Sequence, residues 1–222
     1  MPDAICFIAT KLDEKRTMQE EALSPFVARK GHFLFESGHH GDLWLDLELL
    51  CLRPQLVKPA AAKLADSLRR HNIEVVCGPL VEGAFVAFLV ASELGADFTY
   101  SERFFRPVQE GLFPAGYRIP NALRSSVRGK RVAIVNDAIN AGSAVRGTFA
   151  DLLDCGATVA AIGSLLVLGR SAFEFAASKN IVLESLAILP NNLWNPVECS
   201  LCAGSVPLED VAGFRAVHPR PL

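Results

Sequence analysis

The residue types best suited to chemistry lie in one stretch, residues 132–144, where an apolar run ends in a polar pair and passes into a loop of small residues. If the run is a strand of a parallel sheet, Asn136 and Asp137 stand at its carboxyl end, where α/β proteins gather their ligands. An amide and a carboxylate at that place can hydrogen-bond vicinal hydroxyl groups. A sugar is therefore a natural ligand for the pair.

The loop that follows, residues 140–144, has the properties of an anion site. Asn140 opens it, and no bulky side chain blocks its backbone. Consecutive N–H groups, the Ser143 hydroxyl and the N-terminus of a following helix can converge on a phosphate. The distance between the pair and the loop suits one pentose 5-phosphate. An ordinary strand, turn and helix with a capping asparagine would explain Gly142 and Ser143, but not a buried strand that ends in a polar pair.

Strand and helix patterns alternate around this stretch. The predicted elements are a helix over 54–71, a strand over 73–77, a turn over 78–83, a helix over 84–94, a strand from 98, a strand over 132–135, a helix over 144–155 and a strand over 158–168. Repeated units of strand, helix and strand predict an α/β protein with a parallel sheet and helices on both faces. The two ends of the chain break this rhythm, so we expect them to form a smaller subdomain.

Periodicity is lost between residues 104 and 128, where glycines and prolines interrupt the chain. This pattern indicates a long loop or a ragged hairpin. A segment of that length without regular structure is often an active-site lid, and a disordered insertion is the alternative.

The composition narrows the class of protein. The chain has 222 residues, of which 50% are apolar and 21% charged, with a formal net charge of −2. These values favour neither disorder nor non-specific nucleic-acid binding. No apolar run approaches the roughly 18 residues that a bilayer requires, and Asp3 stands where a leader would be basic. Six cysteines are too few for a disulfide scaffold, so we expect a soluble, unprocessed protein in the reducing cytoplasm.

Two cysteine and histidine patterns raise the question of a metal. Cys199 and Cys202 form a C-x-x-C pair, but a closed zinc site needs two more ligands with similar spacing, and the sequence supplies none nearby. A packed or solvent-side thiol pair is the favoured interpretation, and the role of the pair stays open. His39 and His40 have no partner at helical spacing and are interpreted as polar loop residues. No metal site made of protein side chains is predicted.

The stretch from 132 to 144 resembles the phosphoribosyl diphosphate (PRPP) signature of the type I phosphoribosyltransferases. In that signature an apolar strand leads to two acidic residues and a small-residue phosphate loop. Asn136 replaces the usual first carboxylate, which leaves Asp137 as the sole anion of the pair.

Two further segments extend the resemblance toward the orotate phosphoribosyltransferases. Residues 31–47, followed by Pro54, resemble the hood that lies over the base, and residues 75–84 resemble the strand and loop that grip the diphosphate, with Glu82 where many orotate enzymes have lysine.

The resemblance implies a type I phosphoribosyltransferase fold, with a central parallel sheet flanked by helices and a small hood subdomain. It implies an N-terminal segment and hood over residues 1–50, a PRPP-binding α/β core over 51–190 and a C-terminal extension over 191–222 that packs on the core or the hood. The implied PRPP-binding residues are Leu80, Val81, Glu82, Gly83, Asn136, Asp137, Asn140, Ala141, Gly142, Ser143 and Ala144. Phe35, Ser37 and Gly38 would contact the base. Mg2+ would be held mainly through PRPP, and the active form would be a homodimer.

The implied reaction displaces diphosphate from C1 of PRPP with a ring nitrogen of a base, most simply orotate. Asp137 would stabilise the ribosyl cation, and Arg103 and Arg106 would supply charge to the diphosphate, since the lysine and histidine of the orotate-enzyme lid are missing. Two alternatives stay open. One is a phosphoribosyltransferase for another base, and the other is a PRPP- or nucleotide-binding regulatory protein without turnover.

Overall fold

The computed structural model describes residues 26–105 and 111–212. Its strands are β1 (Ala28–Leu34), β2 (His40–Leu45), β3 (Val75–Pro79), β4 (Asp97–Phe105), β5 (Ala115–Arg118), β6 (Arg131–Ile139), β7 (Thr158–Leu168), β8 (Val182–Leu189) and β9 (Leu193–Trp194). Its α-helices are α1 (Pro54–Leu68), α2 (Glu82–Leu94), α3 (Arg124–Val127), α4 (Ser143–Asp154), α5 (Ser171–Ser178) and α6 (Ser200–Ala203). Short 3-10 segments cover Leu47–Leu52, Arg69–His71, Asn121–Leu123 and Pro196–Glu198.

A six-stranded sheet in the order β5-β4-β3-β6-β7-β8 forms the centre. The pairs β4 with β3, β3 with β6, β6 with β7 and β7 with β8 are parallel, and β5 is antiparallel to β4. The central strands read as apolar runs because both faces of the sheet are covered by helices. The predicted α/β class and parallel sheet are confirmed.

Alternating residues of the central strands feed two apolar cores. Ile134 of β6 packs with Leu152 of α4 and Phe175 of α5 on one face. Val135, its neighbour, packs with Leu64 of α1 and residues of α2 on the other face. Successive side chains of a strand point to opposite faces, which is why one short run can hold both helical layers.

The strand that carries the polar pair is longer than predicted. The sequence placed its end at Val135, whereas β6 continues to Ile139 and its Asn136 pairs in register with Ser164 of β7. The neighbouring β7 has 11 residues, so hydrogen-bond partners are present beyond the apolar run. Asn136 and Asp137 therefore belong to the strand, and its side-chain alternation directs them to opposite faces.

The interrupted region after residue 104 is a hairpin followed by short helices. Phe104 and Phe105 at the end of β4 pair with Gly116 and Ala115 of β5. The guanidinium carbon of Arg118 lies 5.4 Å from the centre of the Phe104 ring, which packs the two strands together. The hairpin alternative is thus confirmed in place of the long loop, and residues 106–110, with Arg106, lie outside the described residues.

The hood is a three-stranded sheet, β1-β2-β9, that uses both ends of the chain. Beyond β9, the Leu34 N–H donates to Glu209 O at 3.0 Å and the Glu209 N–H donates to His32 O at 2.7 Å. This arrangement brings His32 and His40 beside the Cys199 and Cys202 pair, which corrects the expectation that the pair lacks nearby ligands. The predicted domain boundaries stay predictions. Within the described residues, no helix has the length and apolar character that crossing a membrane demands.

Candidate active site

One cavity of about 760 Å³ opens where the carboxyl ends of β3 and β6 meet the hood. Such a volume is within the range of small-molecule and cofactor sites. Its walls come from segments that are far apart in the sequence: residues 35–37 and 43–48 of the hood, 79–83 after β3, 102–103 and 117 of the hairpin, and 136–145 after the centre of β6. Polar groups predicted separately from three motifs thus face one space.

The residues predicted to bind PRPP all line this cavity: Leu80, Val81, Glu82, Gly83, Asn136, Asp137, Asn140, Ala141, Gly142, Ser143 and Ala144. Phe35, Ser37 and Arg103 line it as well. Gly38 is not among the residues that line the cavity, and its predicted contact with the base stays a prediction. Gly38 has φ +81° in the turn between β1 and β2 and its N–H donates to Phe35 O at 2.9 Å, so it shapes the loop that presents Phe35 and Ser37.

The loop before α4 presents donors to the cavity. Gly142 has φ +84° and precedes the first helical residue, Ser143. The first N–H groups of a helix have no acceptor inside the helix, and they carry the positive end of its dipole. The buried Nδ2 group of Asn140 has no hydrogen-bond partner among the described residues, while its Oδ1 accepts from Asn191 at 2.8 Å. Free donors and a positive helix end together suit a phosphate.

Arg146 supports this loop from behind, a role that the sequence analysis missed. Its Nε donates to Ala141 O at 3.2 Å, and its guanidinium carbon lies 4.5 Å from the ring centre of Phe175 and 5.0 Å from that of Phe113. Burial lowers the pKa of Arg146. An arginine one turn into the helix after a phosphate-type loop was the available signal. Its hydrogen bond fixes the loop backbone, and its charge adds positive potential next to the candidate anion site.

The loop after β3 approaches β6 closely. The Leu80 N–H donates to Ser101 O at 2.9 Å, which ties the loop to β4, and the Leu80–Val81 peptide bond is cis. A Cβ atom on Gly83 would overlap Oδ1 of Asn136. The Asn136 amide is held on its other side, because Nδ2 donates to Ala138 O at 2.8 Å. Glycine at 83 therefore allows the two cavity walls to meet.

Asp137 is a buried acid of the site whose pKa is raised. Its residue is 3% exposed, and Oδ2 has no hydrogen-bond partner among the described residues. Burial raises the pKa of Asp137 to about 7, and the nearby charges of Glu82 and Glu48 add to the shift, whereas the backbone N–H of Ala138 opposes it. A buried carboxylate without a compensating charge is costly unless a ligand supplies the charge.

The cavity lining is strongly acidic. Its carboxylates are Glu36, Glu48, Glu82, Glu102 and Asp137. Arg103 is the only basic side chain of this lining in the described part of the chain. Its Nη1 donates to Glu36 Oε2 at 2.9 Å, and the Tyr117 hydroxyl donates to Glu36 Oε1 at 2.9 Å. Arg103, which was predicted to supply charge to the diphosphate, is thus engaged with Glu36 of the hood. Burial raises the pKa of the Tyr117 hydroxyl.

The hood presents an aromatic surface to the cavity. The rings of Phe35 and Trp44 are stacked, with centres 6.0 Å apart and planes 6° from parallel. Gly41 has no side chain at the place where the Phe35 ring lies. Trp44, which was not predicted as a contact residue, lines the cavity together with Phe35. Flat aromatic groups of this kind suit a planar heterocycle.

Solved structures share this fold. Adenine phosphoribosyltransferase from Rhodothermus marinus superposes with a TM-score of 0.61 at 17% identity, covering 78% of this chain and 99% of that one. Orotate phosphoribosyltransferase from Mycobacterium tuberculosis H37Rv gives 0.58 at 18% identity, covering 78% and 96%. The fold is that of the type I phosphoribosyltransferases, as the sequence predicted.

The sequence relatives of this chain are orotate phosphoribosyltransferases. Orotate phosphoribosyltransferase from Caldanaerobacter subterraneus subsp. tengcongensis is 26% identical over 182 residues, which cover 82% of this chain and 88% of the relative. The enzyme of the same name from Thermoanaerobacter sp. (strain X514) is 28% identical over 196 residues, covering 86% and 95%. No protein-family model matches the chain. The resemblance to orotate phosphoribosyltransferases that the motifs indicated is confirmed over most of the chain.

Asp137→Asn should stabilise the fold at pH 8. The folded-state pKa of about 7 lies above the ordinary 3.8, so the folded state binds the proton more tightly and the stability of the wild type falls as the pH rises between those values. The asparagine carries no charge, and we expect the free energy of unfolding at pH 8 to rise by about 2 to 4 kcal/mol. The difference should vanish near pH 4. Urea denaturation at both pH values measures it.

Asp151→Asn is the matched control for that experiment. Asp151 accepts from Arg124 at 2.9 Å and from the Ile119 N–H at 2.7 Å, so its carboxylate is compensated and its loss should destabilise the protein at pH 8. Equal destabilisation by Asp137→Asn would contradict the account of Asp137 as a buried, uncompensated charge.

Gly142→Ala should weaken the affinity for ribose 5-phosphate at least about tenfold, through backbone strain in the anion loop. A Cβ atom there would meet only ordinary contacts, 3.6 Å from Arg146 Nε and 3.7 Å from Ile139 Cγ2, so the positive φ and not lack of space is the cause. Gly95→Ala is the control, because Gly95 has φ +67°, open surroundings and no place in the cavity lining. Calorimetry showing equal affinity for both variants would place the phosphate elsewhere.

Proposed function

We propose that the protein is a phosphoribosyltransferase that transfers the 5-phosphoribosyl group of PRPP to a ring nitrogen of orotate. The bond from C1 of the ribose to the diphosphate oxygen breaks, a bond from C1 to nitrogen forms, and the products are a nucleoside 5'-monophosphate and diphosphate. The observation that carries the proposal is the convergence of the anion loop, the buried Asp137 and the aromatic hood on one cavity. The choice of orotate rests on the names of the relatives.

We propose one orientation for PRPP in this cavity. Its 5-phosphate would lie against the N–H groups at the start of α4, which no side chain caps, and against the Nδ2 group of Asn140, which has no hydrogen-bond partner in the described structure. The ribose hydroxyls would then lie near Asn136 and Asp137, and the diphosphate near residues 80–83. The base would lie under Phe35 and Trp44. Each part of the substrate meets the chemistry that recognises it.

Asp137 supplies electrostatic stabilisation to the reacting ribose. As the bond to diphosphate breaks, positive charge develops at C1 and the ring oxygen. The Asp137 carboxylate is already held in a site largely closed to water, so it stabilises that charge without reorganising. The same burial that raises its pKa makes the charged form more effective once the cation develops. We therefore propose Asp137 as the catalytic carboxylate.

Mg2+ fits the site as a partner of PRPP. The five carboxylates of the lining and the engagement of Arg103 with Glu36 leave the cavity poorly suited to a polyphosphate anion alone. When bound, Mg2+ would neutralise the leaving diphosphate. Asp137, whose Oδ2 has no hydrogen-bond partner in the described structure, and Glu82 are the residues that would hold it, directly or through water. The acidic lining would therefore serve to bind PRPP as its Mg2+ complex.

Arg103 is proposed to act at the hood end of the cavity. Glu36, which also accepts from the Tyr117 hydroxyl, holds Arg103 there, and an incoming carboxylate of orotate would take the place of Glu36 on the guanidinium. A base without a carboxylate would leave the pair intact. The contribution of Arg106 to the diphosphate stays a prediction.

A homodimer and a cytoplasmic location complete the proposal. The start of α2 and the loop before it carry an exposed apolar face, with Val81 55%, Phe85 54% and Phe88 58% exposed. An apolar face of this kind supports pairing with a second copy. The cytoplasmic location rests on the cysteine usage, since six cysteines in a chain of 222 residues are too few for a disulfide scaffold.

Incubation with PRPP, Mg2+ and a panel of bases tests the proposal. We expect diphosphate release with orotate and a loss of at least about a hundredfold in kcat for Asp137→Asn. Asp151→Asn, outside the cavity, is the control. Turnover with another base alone would replace orotate and keep the reaction. Binding of PRPP without turnover with any base would contradict the enzyme assignment and favour a PRPP-binding regulatory protein.

Asn136→Asp should lower both stability and kcat. The Nδ2 donor that reaches Ala138 O would be replaced by a carboxylate oxygen facing a carbonyl, at a cost of about 1 to 3 kcal/mol. A second carboxylate next to Asp137 in the chain would raise the pKa of one of the two carboxyl groups. Urea denaturation and kcat at saturating Mg2+ measure the two effects. A higher kcat would show that the family's usual carboxylate works better here and that the amide bond to Ala138 is dispensable.

A further inference from the structure

Four side chains outside the cavity lining converge at the junction of hood and C-terminal segment. His32 lies on β1 and His40 begins β2. Cys199 immediately precedes α6, and Cys202 lies within it. One nitrogen or sulfur atom of each lies within 4.8 Å of those of the other three. The set joins both ends of the chain and has no role in the proposed reaction.

The distances between these atoms have the pattern of a small tetrahedron. His32 Nε2 lies 3.2 Å from His40 Nδ1, and Cys202 Sγ lies 3.2 Å from the same His40 atom. Cys199 Sγ and Cys202 Sγ lie 3.4 and 3.7 Å from His32 Nε2. Around a tetrahedral zinc ion the usual bond lengths give edges of about 3.3 Å between two nitrogens and about 3.6 Å between nitrogen and sulfur.

The surroundings prepare the ligands for a metal. His32 Nδ1 donates to Val206 O at 2.8 Å, which fixes the neutral tautomer whose Nε2 lone pair faces the other three atoms. His32 is 1% exposed and Cys199 3% exposed. A backbone carbonyl orienting a buried ligand histidine is the arrangement that metal sites commonly use.

We propose that His32, His40, Cys199 and Cys202 bind one Zn2+ ion through Nε2, Nδ1 and the two Sγ atoms. Binding releases a proton from each thiol, and two thiolates with two neutral imidazoles leave no net charge on the loaded site. Sulfur and imidazole ligands select zinc over magnesium, and four protein ligands leave no open position. The site is structural.

The ion would fasten the hood to the C-terminal segment. His32 and His40 flank the turn that carries Phe35 and Ser37, so their common ligand fixes that turn. The cysteines anchor residues 199–212, whose last member, Ala212, lines the cavity. The zinc proposal does not depend on the reaction, because metal content and PRPP turnover are measured separately.

Metal analysis of the full-length protein, purified without chelator from zinc-supplemented culture, tests the site. We expect about one zinc per chain. Cys202→Ser and His40→Asn should each reduce zinc retained after dialysis at least about tenfold. Cys155→Ser and His71→Asn are the matched controls, since they change the same residue types away from the cluster and should retain the metal. Wild-type protein with no zinc, or zinc that survives both ligand substitutions, would overturn the proposal.

A cobalt titration of the metal-free wild type gives an answer that does not depend on a variant folding. We expect the visible bands of tetrahedral Co2+ and a thiolate charge-transfer band, saturating at about one equivalent. The midpoint temperature of thermal unfolding of the wild type should rise when zinc is added. A spectrum of octahedral Co2+, or a Cys199–Cys202 disulfide found by mass spectrometry of freshly purified protein, would instead show that the four groups are not a zinc site.

Discussion

The site depends on one carboxylate that the fold holds almost out of water. Asp137 lies within β6, is 3% exposed, and has a pKa raised to about 7 by that burial. Its neighbours Glu82 and Glu48 increase the cost of its charge, so the folded protein alone does not compensate it. The parallel sheet makes this position possible, because it is anchored in β6 between helices on both faces. A bound cationic ligand would recover the stability lost there.

The other walls of the cavity follow from that placement. The 140–144 loop continues β6 directly, so the proposed anion site lies a short distance from Asp137. Arg146 donates to the backbone of this loop. Gly83 allows the loop after β3 to meet Asn136. Above them the hood is completed by β9 and by Glu209 pairing with β1, so the base end of the site depends on the C-terminal segment. A zinc ion at His32 and Cys199 would make that dependence strong.

Local patterns were sufficient to predict part of this structure. Some features depend only on residues that are close together in the sequence. They are the buried run before Asn136, the small residues of the 140–144 loop and the helix that ends at Gly95. The sheet, the loop and α2 were predicted from these local patterns. Contacts between distant segments were not. Arg146 is held by Phe113 and Phe175, and Trp44 lies in the lining only because β2 pairs as it does. His32 and Cys199 are 167 residues apart, so a search for nearby ligands could not unite them.

The central claim is that the acidic cavity accepts PRPP as a complex with a divalent cation. Titration calorimetry of PRPP into the wild-type protein, with Mg2+ and then with excess chelator, measures it directly. The account predicts a dissociation constant at least about tenfold larger without Mg2+, because five carboxylates line the cavity and Arg103 is engaged by Glu36. Equal affinity under the two conditions would contradict the account, since the protein would then supply the compensating charge itself.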